Sequence, residues 1–118
     1  MLHHVGIEVA PGDIEATVDF FELLGFERVE PPPSLREFTW VEREGTQVHL
    51  MPREDPIVPE VGHLAVVVTD FDAALQRLQD AGHAAERQRE HWGSPRGWAI
   101  APSGHRVELM AAAPAPQI

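Results

Sequence analysis

The 118-residue chain contains no cysteine, no tyrosine and no lysine, and all nine of its basic residues are arginine. Each absence removes a chemistry. Without Cys there is no disulfide, no thiolate nucleophile and no cysteine-bound zinc, and the redox compartment is left open. Without Lys no Schiff base can form, and without Tyr no phenol can act as an acid. Basic charge is scarce as well, since nine Arg face 19 acidic residues for a net charge of −10. A nucleic acid or an anionic membrane needs a basic face to displace counterions, so neither is expected as a partner. Long apolar runs are also missing. The first apolar stretch is interrupted by His3, His4 and Glu8, so neither a signal peptide nor a transmembrane helix is expected, and a cytoplasmic location is the default. What the chain does have is 43% hydrophobic residues, enough for one globular unit with its own core.

The chain also repeats itself. GTQVHLM at 45–51 and GHRVELM at 104–110 share Gly, Val, Leu and Met in place, with His49 in one and Glu108 in the other. Their separation is 108 − 49 = 59, and the same offset links His4 to His63, Gly45 to Gly104 and Asp13 to Asp72. An internal period of this kind implies a duplicated module.

Each half reads alike. Residues 2–9 alternate, with Val5, Ile7 and Val9 on one face and His4, Gly6 and Glu8 on the other, which predicts a half-buried strand. Asp13 is placed to cap a helix carrying Ile14, Val18, Phe21 and Leu24 at helical spacing, and Gly25 to end it. Short strands are predicted over 26–30, 36–43 and 46–51, separated by the PPPS and EREG turns. The second half predicts a strand at 63–69, a helix over 72–81 and strands near 83–89, 97–101 and 105–111. The boundaries are therefore a first module over about 1–52, a linker over about 53–61, a second module over about 62–112 and a tail over 113–118. Side chains alternate across a strand, so Val48, Leu50, Val107 and Leu109 face the helix side. His49 and Glu108 face the other way, as His4 and His63 do on their strands. Any one of these four alone reads as an ordinary polar residue on a solvated face. Their shared offset and facing favour a metal site.

Paired βαβββ modules carrying HHVGIEV, ELLGF, TQVHLM, GHLAVVVTDFDAALQRLQDAG and APSGHRVELM resemble the vicinal oxygen chelate superfamily over about residues 2–112. That superfamily includes glyoxalase I, fosfomycin- and bleomycin-resistance proteins, methylmalonyl-CoA epimerase and extradiol dioxygenases. The resemblance implies an α+β fold: two tandem βαβββ modules forming a curved, cup-like mixed sheet with helices outside. It also implies a divalent metal held by His4, His49, His63 and Glu108. His49 departs from the pattern, standing where proteins like glyoxalase I carry Glu and the epimerase carries Gln. Three imidazoles and a carboxylate suit Fe, Mn, Ni, Co or Zn. Glu108 is the expected base for a carbon acid, with Glu8 the weaker candidate.

Four further residues are expected to line a substrate pocket. Trp92, Arg96 and Trp98 supply an aromatic wall and one cation suited to a small anionic or aromatic substrate, and Trp40 holds the matching place in the first half. Packing in the core or at a dimer interface is the equal alternative for these Trp residues. His3, one residue out of phase with His4, is expected to face the core or an edge, and His3, His83, His91 and His105 are all expected at surface or turn positions.

Three functions follow from the resemblance. The first is a metal-dependent lyase or isomerase acting on a small substrate chelated through vicinal oxygens. The second is an Fe- or Mn-dependent dioxygenase. The third is a drug- or metabolite-binding resistance protein without chemistry. Fosfomycin-type thiol transfer is disfavoured, because the Tyr and Lys that line such sites are absent. A small-molecule partner and a homodimer are expected in each case.

Overall fold

The alternation of Val5, Ile7 and Val9 with polar neighbours becomes strand β1, His4–Val9, in a computed structural model that describes residues 1–116. Gln117 and Ile118, the end of the expected tail, lie outside the described residues. The chain divides into two compact units, Met1–Val58 and Pro59 onward. Each is an α+β module with one four-stranded mixed sheet. Among the described residues no helix is long and apolar enough to cross a membrane.

In the first unit β1 leads through a 3-10 turn, Pro11–Asp13, into α1, Ile14–Glu22. Asp13 stands at the N-cap position but makes no side-chain capping bond, so Pro11 and the preceding turn set the entry instead. Gly25, at φ +89°, ends the helix. The Phe26 amide then reaches back to the Phe21 carbonyl and the Gly25 amide to Glu22, a closure that requires a left-handed residue. Strands β2 (Glu27–Val29), β3 (Thr39–Arg43) and β4 (Thr46–Pro52) complete the order β1-β4-β3-β2. Strand β4 pairs parallel with β1 and antiparallel with β3. The strand expected from residue 36 begins only at Thr39. A 3-10 turn at Pro33–Leu35 takes its place, closed by the Phe38 amide on the Leu35 carbonyl and by Arg36 on the Pro33 carbonyl.

The second unit repeats this order. Strand β5 (Leu64–Val67), helix α2 (Phe71–Asp80) and strands β6 (Ala85–Gln88), β7 (Arg96–Ile100) and β8 (Arg106–Met110) form the sheet β5-β8-β7-β6. Helix α2 starts one residue before the expected Asp72, with Asp70 at its N-cap. Asp72, in the first turn, pairs with Arg87. Gly82, at φ +90°, ends α2 as Gly25 ends α1. Gly97 is needed for a different reason: a Cβ there would lie 2.6 Å from the Glu86 carbonyl oxygen across the β6–β7 ladder.

Both cores are aliphatic and phenyl side chains between helix and sheet. Phe20, Phe21, Leu24, Val41 and Leu50 are fully buried in the first unit, and Leu78, Val107 and Leu109 in the second. Each contributes about 1.5–3 kcal/mol of burial. Helix packing thus covers one face of each sheet and leaves the opposite faces to the polar residues of β4 and β8.

Candidate functional site

On the polar face of the first sheet, His49 is held on three sides. It is the cross-strand partner of Trp40 and Gly6. The Trp40 indole stacks on one ring face at 4.0 Å and 2°, and the His4 imidazole on the other at 3.9 Å and 11°. Gly6, beside it, leaves room for Met51, whose Cε would lie 3.3 Å from a Cβ there. His49 is consequently only 8% exposed. Its Nε2 lies 2.8 Å from Gln47 Oε1, and Gln47 Nε2 donates to Glu42 Oε1 at 2.8 Å. A carboxylate only accepts, so the amide nitrogen must face Glu42 and the amide oxygen must face His49. The His49 proton therefore sits on Nε2, which leaves its lone pair at Nδ1 when the ring is neutral. Burial, reinforced by the neighbouring His4 and His3, holds the His49 pKa below its usual value and favours that neutral form. A pocket of about 280 Å³ opens beside this stack, bordered by His3, Leu35, Phe38 and Met51.

The second unit centres on Glu108. Its Oε2 accepts from Arg96 Nε at 2.8 Å, and its Oε1 lies 3.3 Å from His63 Nε2. Arg96 and Glu108 side chains are 9% and 13% exposed. Arg96 also donates from Nη1 to the Arg89 carbonyl. Trp98, the cross-strand partner of both Glu86 and Glu108, is the hub of this face. The His63 ring meets it edge-on at 4.8 Å. The Arg96 and Arg106 guanidinium carbons lie 5.2 and 4.7 Å from its ring centroid. Trp92 stands apart, its indole N–H donating to the Ala112 carbonyl.

A family model, the Glyoxalase/Bleomycin resistance protein/Dioxygenase superfamily, matches residues 1–109. The chain belongs to this superfamily. No curated protein matches it. Among solved structures it is similar to a glyoxalase family protein from Bacillus anthracis, at 23% identity over 93% of both chains with a TM-score of 0.81. It is also similar to the fosfomycin resistance protein FosX from Listeria monocytogenes, at 18% identity over 96% of this chain and 91% of that one, with a TM-score of 0.77. A third is TnmS3, an antibiotic binding protein from Streptomyces sp. CB03234, at 19% identity over 93% of both chains and 0.69. At these identities the likeness is one of fold, and it agrees with the tandem α+β modules expected from the repeat.

Superfamily members commonly use divalent metals. The structure brings the expected residues together as two pairs, His4 with His49 and His63 with Glu108. Among the described residues no three His, Asp or Glu side chains converge into a ready metal site. Two donors on one ion, each about 2.1 Å from it at ordinary angles, sit about 3.0–3.4 Å apart. The His63–Glu108 separation of 3.3 Å meets that requirement. Arg96 occupies only Oε2 and leaves Oε1 facing His63. In the other pair, an imidazole lone pair lies in its ring plane, so two parallel rings cannot bind the same ion. His49 is locked by Trp40 and Gln47, whereas His4 is exposed, so His4 is the ring that turns. Within its own unit the His63–Glu108 pair is spaced for an ion as it stands, and the His4–His49 pair only after that one rotation.

Two placements, those of Arg96 and His105, differ from expectation. Arg96 carries a carboxylate partner rather than standing open to a substrate. His3, which precedes β1, is exposed, with its Nδ1 2.9 Å from that of His4. His105 is buried at 6% with Nδ1 2.9 Å from Ser103 Oγ, since the Ser103–Gly104 turn folds it inward. His83 is half-buried and His91 exposed. Sequence reasoning gave no role to Gln47 and Glu42, although Gln47 sits two residues from His49 and therefore shares its face.

Proposed function

We propose that the protein is a divalent-metal-dependent enzyme of the glyoxalase type, a lyase or isomerase acting on a small substrate held through vicinal oxygens. The observation that supports it most is the His63–Glu108 pair, with one carboxylate oxygen pinned by Arg96 and the other 3.3 Å from imidazole Nε2. The reading assigns the ion to His4, His49, His63 and Glu108, with the two pairs supplied by one chain or by two copies in a homodimer. When bound, a divalent ion supplies Lewis acidity toward the substrate oxygens.

The chain's own residues do the rest. Arg96 fixes the carboxylate orientation of Glu108, as groups behind a metal ligand commonly do. Gln47 and Glu42 do the same for His49, holding its proton on Nε2 so that Nδ1 can donate a lone pair. In this reading Glu108 is also the base for a carbon acid next to a carbonyl, a role its Oε1 takes only when it swings off the metal. One observation favours a second reading, a small-molecule binding protein without chemistry: Arg96 neutralises Glu108, which weakens its pull on a cation. TnmS3, of similar fold, is described as an antibiotic binding protein.

Elemental analysis of the purified protein after reconstitution with Fe(II), Mn(II), Ni(II) and Zn(II), beside a His63→Ala, Glu108→Ala double variant, decides between them. About one ion per site in the parent and none in the variant is the expected result. A parent that stays metal-free after every reconstitution would overturn the enzyme reading in favour of a binding protein.

A further inference from the structure

Arg106 is the cation on the Trp98 face whose charge is not used up. Among the described residues the structure shows no carboxylate paired with it, in a chain with 19 acidic residues against nine Arg. Its neighbour Arg96 is committed to Glu108 and the Arg89 carbonyl. Instead Arg106 lies over Trp98, 4.7 Å from the ring centroid, half-buried on β8. A guanidinium over a ring face makes no hydrogen bond to it, so its N–H donors remain for a ligand, in the fork that matches a carboxylate. Arg106 lines a cavity of about 700 Å³ whose other walls include His83, Ala84, Ala85, Ile100, Glu86 and Gln88. Gln88 Nε2 donates to Glu86 Oε1 at 3.0 Å, yet Glu86 keeps its negative charge in the same cavity.

We propose that Arg106 anchors a binding site for a small monocarboxylate with a short apolar body, held by its fork and flanked by Trp98. The apolar walls fit the body of such a ligand. Glu86 sets the charge limit, since a dianion such as phosphate meets more repulsion from it than a monoanion does. This names the substrate class for the reading above and rests on it for the site's role, but binding through Arg106 requires no metal.

The test is a titration with benzoate in excess EDTA, followed through the indole N–H resonance of Trp98 in a ¹H–¹⁵N spectrum and assigned by Trp98→Phe. The expected result is a saturable shift that weakens at least tenfold in Arg106→Met and a few-fold in Arg106→Lys, which keeps the charge but not the fork. Benzamide, neutral and of the same shape, gives no saturable shift, and inorganic phosphate does not compete. Benzoate binding that is unchanged in Arg106→Met, or matched by benzamide, overturns the proposal, as does the lack of any saturable shift. Should Arg106→Met fail to fold, an unchanged affinity in Arg106→Lys overturns it and a few-fold loss supports it. Because EDTA is present throughout, failure of the metal reading leaves this result untouched, and failure here leaves the metal content of the parent untouched.

Discussion

The His49 imidazole lies flat against the Trp40 indole, with centroids 4.0 Å apart and planes inclined by 2°. These residues are direct cross-strand partners on β4 and β3. The indole does two things at once. It removes one ring face of His49 from water, and it fixes the plane in which the His49 lone pair points. Gln47 then fixes the rotation within that plane. An imidazole restrained in both ways is preorganised, because no rotamer entropy is left to lose when a ligand arrives.

Shortening Trp40 should expose that dependence. Trp40→Ala is expected to cost about 2 kcal/mol, below the range for fully buried aromatics because Trp40 is only half-buried. It should also move the His49 pKa back up toward its usual value, since burial is the largest cause of its depression. Trp40→Phe keeps a ring face and should cost less than about 1 kcal/mol. Urea denaturation and the His49 ring resonances measure the two effects. A His49 titration that does not move in Trp40→Ala would mean that the indole is not what shields it.

The same depression makes stability depend on pH, and the sign follows from linkage. An unfolded His titrates near 6.5, whereas folded His49 takes its proton only at lower pH. In that interval the unfolded chain binds more protons, so acid favours unfolding. The contribution is complete above pH 6.5 and is lost as pH falls through the folded value. The groups facing His49 are His4 from β1 and His3 just before it, Trp40 from β3, and Gln47 with Glu42 behind it. Denaturation midpoints in chelator at pH 7.5 and 5.0 should therefore fall less in His49→Gln than in the parent. An equal fall in both would assign the acid sensitivity to other groups.

Much of this was legible before the fold was known, for identifiable reasons. Two-residue alternation and the 59-residue offset place His49 and Glu108 at the centres of β4 and β8, because a strand's facing is a local property. The strand expected from residue 36 failed locally too: Leu35 and Phe38 suit a strand, but the fixed φ of Pro33 seeds a 3-10 turn. The Arg96–Glu108 pair was not legible at all. It depends on the β7–β8 register, in which Arg96 opposes Met110 and Trp98 opposes Glu108, and so on the length of the turn between the strands. Which Arg carries the carboxylate and which stays available is thus a tertiary fact.

That distinction can be measured directly. Arg96 and Glu108 are both largely shielded from solvent and joined at 2.8 Å, so removing one partner leaves the other's charge poorly compensated. Arg96→Met is expected to cost about 3 kcal/mol, and Glu108→Leu a similar amount. The double variant, with two apolar side chains in place of the pair, should cost well below the sum, for a coupling of about 1.5–3 kcal/mol. Exposed pairs such as Arg77–Asp70, 2.9 Å apart on α2, should couple by no more than about 1 kcal/mol. If Arg96 and Glu108 also couple at that weak level, Arg96 is not committed to the carboxylate. It would then compete with Arg106 for any anion reaching Trp98. A strong coupling instead leaves Arg106 as the cation that an incoming carboxylate meets on that face.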